Sequence, residues 1–322
     1  MNVIALDPGF GNTNVCFDGK VHSIQSAIAR PQDLGLVAIG MRQARHGSEI
    51  ALEGETFTFG EGAWNQGRLH GGLDYASLAS LERRALFLGT AANLLEPGSH
   101  KFELMVIGLP VPLLKDKVQA EGIFKRLKTW KGAHQFQKDK QDYQVSIERI
   151  KVLAQPVGAY ANWLLDEELN VRRAGRKAEV AVLDIGFNTL DLYVVQGGQV
   201  LPRFIGGGKV GVRRLLNLLN EDERELEELD GALRRRKVRP SKTHLELWLN
   251  EILAAMERSW PNLKRFSAVI PSGGGAVLLD NLLRNTLISK GAAIYWPEDP
   301  LNANVIGLWK WGSYGSRKKK TG

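Results

Sequence analysis

The hydrophobic positions at the start of the chain predict a β-hairpin. The apolar run Val3–Leu6 ends in Asp7, a glycine-rich turn follows at residues 8–11, and residues 12–17 again have the composition of a strand. Glycine and proline between two such runs are typical of a tight turn. Residues 21–31 predict a third strand.

The rest of the first half predicts a small subdomain followed by helical and extended segments. The glycine-rich stretch 33–73, with strand-like alternation at 49–64, indicates a small β-containing subdomain inserted into the larger unit. Apolar residues at helical spacing predict a helix over 77–95, which a Pro-Gly pair ends. Residues 102–110 predict a buried strand, and a hairpin is expected before Lys151.

The second half of the chain begins with the same pattern as the first. After residues 152–169, which predict a strand, a turn and a helix at the end of the first half, Asp184–Phe187 shares its Asp, Gly and Phe with Asp7–Phe10, each at the end of an apolar run. This is an internal repeat at the scale of a domain. Further on, a glycine cluster at 206–208 precedes a predicted helix, and 266–283 predicts strand, glycine turn and helix. Strands that alternate with helices in both halves predict an α/β fold.

Composition narrows the class of protein. With 322 residues, 24% charged and 43% hydrophobic, the sequence excludes a disordered chain, a collagen and a coiled coil. Its single cysteine, Cys16, excludes a disulfide framework or a thiolate metal site and fits a reducing compartment. No basic leader and no run near 18 apolar residues occurs, so we expect a cytoplasmic protein with no membrane partner.

The net charge of +8 suggests a polyanionic partner, but much of it is local. Residues 317–320, in a terminal segment with no apolar face, supply four of these charges. A second basic cluster, residues 234–239, follows an acidic stretch at 221–230. One interpretation is that these neighbours neutralise each other on a solvated helix, and the alternative is a surface for a partner.

The two Asp-ended strands carry the main chemical signal. Asp7 and Asp184 would be unfavourable to bury unless something positive faced them, and a hydrated magnesium ion between them would satisfy both and neutralise nucleotide phosphates. The glycines that follow bring backbone amides close to a ligand, and the Asn and Thr side chains add neutral donors. Either turn alone is also what an ordinary hairpin needs, but the pair favours a phosphate site.

Two other glycine turns and one glutamine are further candidates. Ser272–Gly275, between a predicted strand and helix, places helix N-terminal amides near a ligand or makes a packing turn. Gly206–Gly208 fits a ligand contact or a flexible turn. Gln155 is able to orient an attacking water, although an ordinary capping or surface glutamine has the same sequence context. No zinc-protease, serine-hydrolase or P-loop lysine motif occurs, which argues against those classes.

These motifs together resemble the actin superfamily. Asp7–Asn14 is similar to its first phosphate motif and Asp184–Asp191 to its second. The remaining motifs follow in the expected order over nearly the whole chain: residues 154–159 are similar to the first connecting motif, 271–276 to the adenosine motif and 302–307 to the terminal connecting motif. Within the superfamily, residues 108–111 and 57–64 resemble the plasmid-segregation actins of the ParM and StbA type and their archaeal relatives.

The resemblance implies an actin-like fold, a duplicated ribonuclease H-like α/β architecture with two lobes around a nucleotide cleft. The first lobe would span 1–155, with a small subdomain at about 33–75. The second would span 156–300, with a small subdomain at about 213–262. Residues 301–322 would form a C-terminal helix that returns to the first lobe, followed by the basic tail.

The resemblance also implies the site. ATP or ADP, with GTP as the alternative, would bind with Mg²⁺, and Asp7 and Asp184 would hold the metal through water. Gln155 would act with them in catalysis by aligning the hydrolytic water, in a slow magnesium-dependent ATPase. The residues that would contact the nucleotide are Gly9, Phe10, Gly11, Asn12, Thr13, Asn14, Gly186, Phe187, Asn188, Thr189, Gly207, Gly208, Ser272, Gly273, Gly274 and Gly275.

The function implied is a protein that polymerises into filaments for plasmid or DNA segregation. Its partners would be further copies of itself and a DNA-binding adaptor at a centromere-like site, while the basic tail would contact DNA directly or remain solvated or in a filament contact. Two alternatives stay open: a small-molecule kinase of the same superfamily, with Asp191 as a candidate base, and a nucleotide-dependent scaffold that does not polymerise.

Overall fold

The structure is a computed structural model that describes residues 2–32, 47–67, 69, 74–222 and 224–318, without the side chains of residues 174, 176 and 318. Residues 33–46, which belong to the predicted inserted subdomain, lie outside the described residues, as do Lys319 and Lys320 of the basic tail.

The strands of the described residues are these, in chain order: β1 (Val3–Pro8), β2 (Asn12–Phe17), β3 (Lys20–Gln25), β4 (Ile28–Ala29), β5 (Ser48–Leu52), β6 (Glu55–Phe59), β7 (Gly98–Phe102), β8 (Leu104–Leu109), β9 (Gly132–Lys138), β10 (Gln141–Ile147), β11 (Ile150–Ala154), β12 (Glu179–Ile185), β13 (Leu190–Gln196), β14 (Gln199–Val200), β15 (Gly206–Gly208) and β16 (Ala268–Ser272).

The α-helices of the same residues are α1 (Leu81–Ala91), α2 (Val111–Lys115), α3 (Lys117–Lys128), α4 (Gln155–Leu164), α5 (Val212–Leu219), α6 (Leu226–Arg234), α7 (Lys242–Ser259), α8 (Gly274–Ser289) and α9 (Ala303–Lys318). The order of strands and helices confirms the α/β pattern predicted for both halves of the chain.

Several local predictions are confirmed and two are shortened. The opening hairpin is β1 paired with β2. The third strand, predicted over 21–31, is β3 and ends at Gln25, and the short β4 that follows pairs with β6 in another sheet. The helix predicted over 77–95 begins only at Leu81, because the Ser80 hydroxyl accepts a hydrogen bond from the Arg83 amide and so caps the helix there. A short 3₁₀ helix at Tyr75–Ala79 precedes it.

The stretch before Lys151 holds more than the predicted hairpin. Strands β9 and β10 form that hairpin, but helices α2 and α3 precede it. Helix α3 buries only Ala120, Ile123 and Leu127, a narrow stripe at helical spacing within a sequence rich in lysine and other charged residues. So few apolar positions give a weak periodic signal, which explains why the helix was missed.

Three sheets organise the chain. The first has the strand order β11-β8-β1-β2-β3, the second β4-β6-β5-β9-β10-β7, and the third β14-β13-β12-β16, with β15 also paired to β13. The second sheet therefore takes strands from two separate parts of the first half, before and after α1. Gly206–Gly208, for which the sequence allows a ligand contact or a flexible turn, form strand β15.

The first and third sheets share one arrangement. In each, the first strand is antiparallel to the next strand in sequence and parallel to a later one, β1 with β8 and β12 with β16. The register is also shared, because Asp7 lies opposite Asn14 and Asp184 lies opposite Asp191. The sequence repeat is thus a structural repeat, and it places the Asp-ended strands in equivalent positions.

Helices α4 and α9 connect the two halves. Helix α4 follows the first sheet but packs with its Ala159, Tyr160 and Trp163 against the third sheet. Helix α9 comes from the end of the chain and packs with Val305 and Leu308 against the first sheet. Each helix thus covers the sheet of the other half, and the two halves form one framework.

Glycines let α4 and α9 cross at very short range. A Cβ atom on Gly307 would lie 1.7 Å from the carbonyl oxygen of Gly158, and a Cβ on Gly158 would lie 2.1 Å from the carbonyl oxygen of Asn304. No side chain fits at either position. This crossing brings the start of α4 and the start of α9, with Gln155 and Asn304, beside the ends of β1 and β12.

Candidate functional site

Asp7 is a buried carboxylate at the end of β1. Its side chain accepts hydrogen bonds from Gln155 Nε2 at 2.5 Å and from Asn14 Nδ2 at 3.5 Å. Burial, with a smaller contribution from the negative charge of Asp184, raises the pKa of Asp7 to about 7, although both hydrogen bonds favour the charged form. A cation bound nearby would favour the charged form of this carboxyl group, which would then lose its proton.

Asp184 occupies the equivalent position on β12. It is 4% exposed, and it accepts hydrogen bonds from Ser272 Oγ at 3.0 Å and from Asn304 Nδ2 at 2.9 Å. Burial raises the pKa of Asp184, while these two hydrogen bonds lower it. Ser272 lies at the end of β16 and Asn304 on α9. With α4 and β2, which carry the two donors to Asp7, four elements fix the two carboxyl groups.

Asp191 is a third buried carboxylate close to this pair. It is 2% exposed, and its Oδ1 atom has no hydrogen-bond partner among the described residues. Burial and then the charge of Asp184 raise the pKa of Asp191 to about 8, against hydrogen bonds from the Val111 amide and the Thr189 side chain. The sequence carries only a spacing signal for this residue: Asp191 follows Asp184 by seven positions, as Asn14 follows Asp7, and the strand register pairs the members of each couple.

We expect Asp191→Asn to change how stability depends on pH. Because the pKa of Asp191 rises from its ordinary 3.8 to about 8 in the fold, the folded state holds this proton more tightly, and stability falls as pH rises across that range. The neutral amide removes this contribution. Thermal unfolding in the absence of nucleotide should give a midpoint a few degrees above wild type at pH 8.5 and an unchanged midpoint near pH 4.

An exposed aspartate supplies the control for that experiment. Asp142 lies on the outer face of β10, and Asp142→Asn should leave the pH dependence of the unfolding midpoint unchanged. If Asp191→Asn and wild type lost stability in parallel from pH 4 to pH 8.5, Asp191 would not be a buried neutral acid.

A cavity of about 740 Å³ lies between the two halves, in front of the paired carboxylates. Its volume is in the range of small-molecule sites. Most of the predicted site residues line it. They come from the two glycine hairpins (residues 7–14 and 184–191), from α4 and from the third glycine turn, and they are Asp7, Gly9, Phe10, Gly11, Asn12, Asn14, Gln155, Asp184, Gly186, Phe187, Asn188, Thr189, Gly273 and Gly274.

The remaining predicted residues are not among those that line the cavity. The Thr13 hydroxyl shares a 2.9 Å hydrogen bond with Ser26, and Ser272 is fully buried against Asp184. A Cβ on Gly275 would lie 2.1 Å from Ile185, so this glycine packs α8 onto β12. Gly207 and Gly208 belong to β15, paired with β13, and Gly207 is exposed.

The two hairpins approach each other closely at their tips. A Cβ on Gly11 would lie 2.8 Å from the Phe187 side chain. Gly273, at the third turn, has a φ of +84°, and a Cβ there would lie 2.5 Å from the Ile185 carbonyl oxygen. Glycine is required at both positions, because one has no room for a side chain and the other needs a left-handed backbone as well.

The cavity is also lined by apolar and basic side chains that were not among the predicted site residues. They include Val238, Pro240, Leu245, Val277, Leu278, Arg236 and Arg239. For the basic cluster 234–239 the sequence allows two interpretations, a solvated helix face neutralised by its acidic neighbours and a surface for a partner. Arg234 does pair with Asp230, but Arg235 pairs with Glu61 of the other half, and three arginines of the cluster line the cavity.

The chemistry of the paired carboxylates fits a hydrated divalent cation. No group of three or more His, Cys, Asp or Glu side chains in the described parts of the chain is arranged to bind a metal directly. Mg²⁺ commonly keeps several waters and takes one or two carboxylates plus phosphate oxygens. Asp7 and Asp184, both buried and held by hydrogen bonds, would hold such an ion, which would supply positive charge next to the phosphates.

Comparison with known proteins identifies the family of the first half. Residues 5–158 match the N terminal domain of actin like proteins. That segment includes the end of β1 with Asp7 and the start of α4 with Gln155. The resemblance to the actin superfamily, drawn from the motifs, is confirmed. A search of curated proteins gave no match.

Solved structures with the same fold cover the whole chain. The apo ParM protein of pSK41 has a TM-score of 0.74 at 17% identity over 99% of each chain. The ADP complex of Ta0583, an archaeal actin homolog, has 0.72 at 20% identity over 97% of this chain and 99% of that one. A 15-stranded ParM filament from Clostridium botulinum has 0.66 at 16% identity over 97% and 99%. The predicted actin-like fold is therefore confirmed.

The helices were also compared with the requirements of a transmembrane segment. Among the described residues, no helix combines the length and the apolar character that a bilayer span requires.

Proposed function

We propose that this chain, which belongs to the actin-like proteins by the match of its first half and has the actin-like fold throughout, is a magnesium-dependent ATPase that polymerises into filaments for DNA segregation. One observation carries the proposal. The cavity between the halves is lined by two equivalent glycine hairpins, and a buried carboxylate stands at the base of each. A duplicated phosphate site of this kind suits a nucleoside triphosphate.

The nucleotide would lie along the cavity with its phosphates between the hairpins. Gly9–Asn12 and Gly186–Asn188 would supply backbone amides, and Asp7 and Asp184 would hold Mg²⁺ through water. The base and ribose would lie toward Gly273 and the apolar side chains Val277 and Leu278 at the start of helix α8. The ADP bound to the archaeal actin homolog supports nucleotide binding by this fold.

Gln155 would orient the water that attacks the terminal phosphate. Its Nε2 donates to Asp7 at 2.5 Å, which holds the side chain in one rotamer and leaves Oε1 to accept from a water in the cavity. An amide is not a strong base, so the expected contribution is alignment, and the expected turnover is slow.

We expect Gln155→Ala to slow hydrolysis by about 10-fold to 100-fold with little change in ATP affinity, because alignment acts on the reacting water rather than on the bound nucleotide. Single-turnover phosphate release and equilibrium binding measure the two effects separately. Gln119→Ala, an exposed glutamine on α3, is the matched control and should behave as wild type. Equal losses of binding and hydrolysis in Gln155→Ala would argue against the alignment role.

Filament formation is the second part of the proposal. A contact between the top of one protomer and the bottom of the next is heterologous and does not close, so it produces an open filament. The nucleotide state would bias the relative position of the two halves and hence the stability of that contact. The filament formed by the ParM of Clostridium botulinum supports this assembly for the fold.

A small-molecule kinase of the same superfamily is the less favoured function. A kinase needs a carboxylate that faces an acceptor hydroxyl. Asp191, the candidate named from the sequence, is 2% exposed and is not among the described residues that line the cavity. Its position instead lets its protonation state affect the electrostatic environment of Asp184.

The proposed cellular role is partition of DNA in the cytoplasm, with a DNA-binding adaptor as partner. Direct contact through the basic tail is an alternative that salt dependence would reveal, since each phosphate contact releases counterions.

Sedimentation with and without magnesium ATP, combined with phosphate release from the same sample, tests the proposed function. We expect a polymer that pellets only with nucleotide and that releases phosphate as it ages. Phosphate release without any pellet over a wide concentration range would leave the scaffold or kinase alternatives, and the filament proposal would be wrong.

A further inference from the structure

The charges that line the cavity are unevenly distributed. Its described acidic residues, Asp7, Asp184 and Asp230, include both carboxylates at the phosphate end. Neither hairpin, residues 7–14 and 184–191, contains a lysine or an arginine. The basic side chains among the lining residues all come from the short segment 234–239 of the second half. A triphosphate placed between the hairpins would therefore need compensating charge from that segment as well as from Mg²⁺.

Arg234 is the member of that segment that reaches the phosphate hairpin. Its Nη1 donates to Asn12 Oδ1 at 2.5 Å and its Nη2 lies 3.5 Å from the Gly11 carbonyl oxygen. The guanidinium therefore touches the tip of the first hairpin from across the cleft. These neutral acceptors are weaker partners than a phosphate oxygen, which would form a charge-assisted and bidentate pair with the same group.

The position of Arg234 is fixed by a second residue of α6. Arg234 Nε donates to Asp230 Oδ2 at 2.7 Å, and Gln25 Nε2 donates to the same oxygen at 2.9 Å. Asp230 is 3% exposed, while the Arg234 side chain remains about one-third exposed and faces the cavity. Gln25 ends β3 in the first half, so the pair is held from both sides of the cleft.

We propose that Arg234 binds a phosphate of the bound nucleotide, and that Asp230 and Gln25 position it to do so. This inference rests on the proposed function. Arg234 belongs to the second half and the phosphate would lie on the hairpin of the first, so nucleotide binding through Arg234 favours the closed arrangement of the halves. The phosphate group itself would thus link nucleotide state to cleft closure.

Arg235 provides the matched control. It neighbours Arg234 at the end of α6 and pairs with Glu61 of the first half, so it too joins the halves, but it is not among the residues that line the cavity. A variant of Arg235 removes a basic charge and a contact between the halves without touching the nucleotide. Arg234→Lys keeps the charge and removes the bidentate fork.

The test compares affinities for ATP and for adenosine, in the presence of magnesium, in wild type, Arg234→Ala, Arg234→Lys and Arg235→Ala. Calorimetry measures the tight complexes and ligand-observed NMR the weak ones, and thermal unfolding confirms that each variant is folded. We expect Arg234→Ala to weaken ATP binding by about 10-fold to 100-fold and to leave adenosine binding unchanged. The ATP affinity of Arg234→Lys should lie between those of Arg234→Ala and wild type. Arg235→Ala should keep the wild-type ratio of ATP affinity to adenosine affinity.

Two results would overturn the inference while leaving the proposed function intact. One is unchanged ATP affinity in Arg234→Ala, and the other is an equal loss for ATP and adenosine, which would indicate a structural role only. Failure of the wild-type protein to bind ATP at all would overturn the proposed function, and this inference with it.

Discussion

Replacing Asp184 with alanine is expected to abolish the magnesium dependence of nucleotide binding and to lower hydrolysis by at least about 100-fold. The Asp184 side chain is buried and held by Ser272 and Asn304, so its position at the base of the second hairpin is fixed. Without it, Asp7 alone would have to hold the hydrated metal. Phosphate release and nucleotide affinity, each measured over a magnesium titration, provide the readout.

Asp184→Asn separates loss of charge from loss of structure. The amide keeps an oxygen for the Ser272 hydroxyl, but it removes the negative charge and places an NH2 group against the Asn304 Nδ2 donor. This variant should therefore be less stable than wild type by about 1 to 3 kcal/mol, remain folded and still lose the magnesium effect. Because burial raises the pKa of Asp184, removing its charge should not itself destabilise the fold. Normal magnesium-dependent hydrolysis in both variants would mean that the metal does not lie beside Asp184.

Replacing Gly307 with alanine is expected to destabilise the fold by about 3 kcal/mol or more, because the new Cβ would lie 1.7 Å from the Gly158 carbonyl oxygen in the crossing of α4 and α9. The two helices would have to separate. Since α4 covers the third sheet and α9 the first, separation would disturb both halves and move Gln155 and Asn304 away from the carboxylates. Urea unfolding, with a fixed slope, measures the change.

Gly315 is the internal control for that variant. It lies in the same helix, is exposed, and a Cβ there would meet no atom within 4 Å. Gly315→Ala should be neutral or stabilising by up to about 1 kcal/mol, because alanine favours the helix over glycine. If the two variants had the same unfolding midpoint, close packing at the helix crossing would not be a source of stability in this protein.

The repeated Asp-ended strands were predictable because they rest on local patterns. An apolar strand, an aspartate and a glycine turn are adjacent in the chain, and their recurrence at Asp7 and Asp184 indicates duplication without any knowledge of the fold. The strand and helix around Ser272–Gly275 were predictable for the same reason, as β16 and α8 are joined directly by the turn.

The features that were missed depend on contacts between distant segments. Whether Arg234 faces solvent or the cavity depends on how α6 lies against the first half, which the order of charges in the sequence does not specify. The same holds for Arg235 and Glu61, and for the close approach of Gly158 and Gly307. Asp191 was considered only as a kinase base, because its burial and its unpaired oxygen follow from the register of β12 and β13.

Electron cryo-microscopy of the polymer pelleted with magnesium and a slowly hydrolysed ATP analogue tests the central claim most directly. We expect filaments of head-to-tail protomers, each with nucleotide density in the cavity and with phosphates between Gly9–Asn12 and Gly186–Asn188. Filaments with that cavity empty, or nucleotide bound at another surface, would contradict the account.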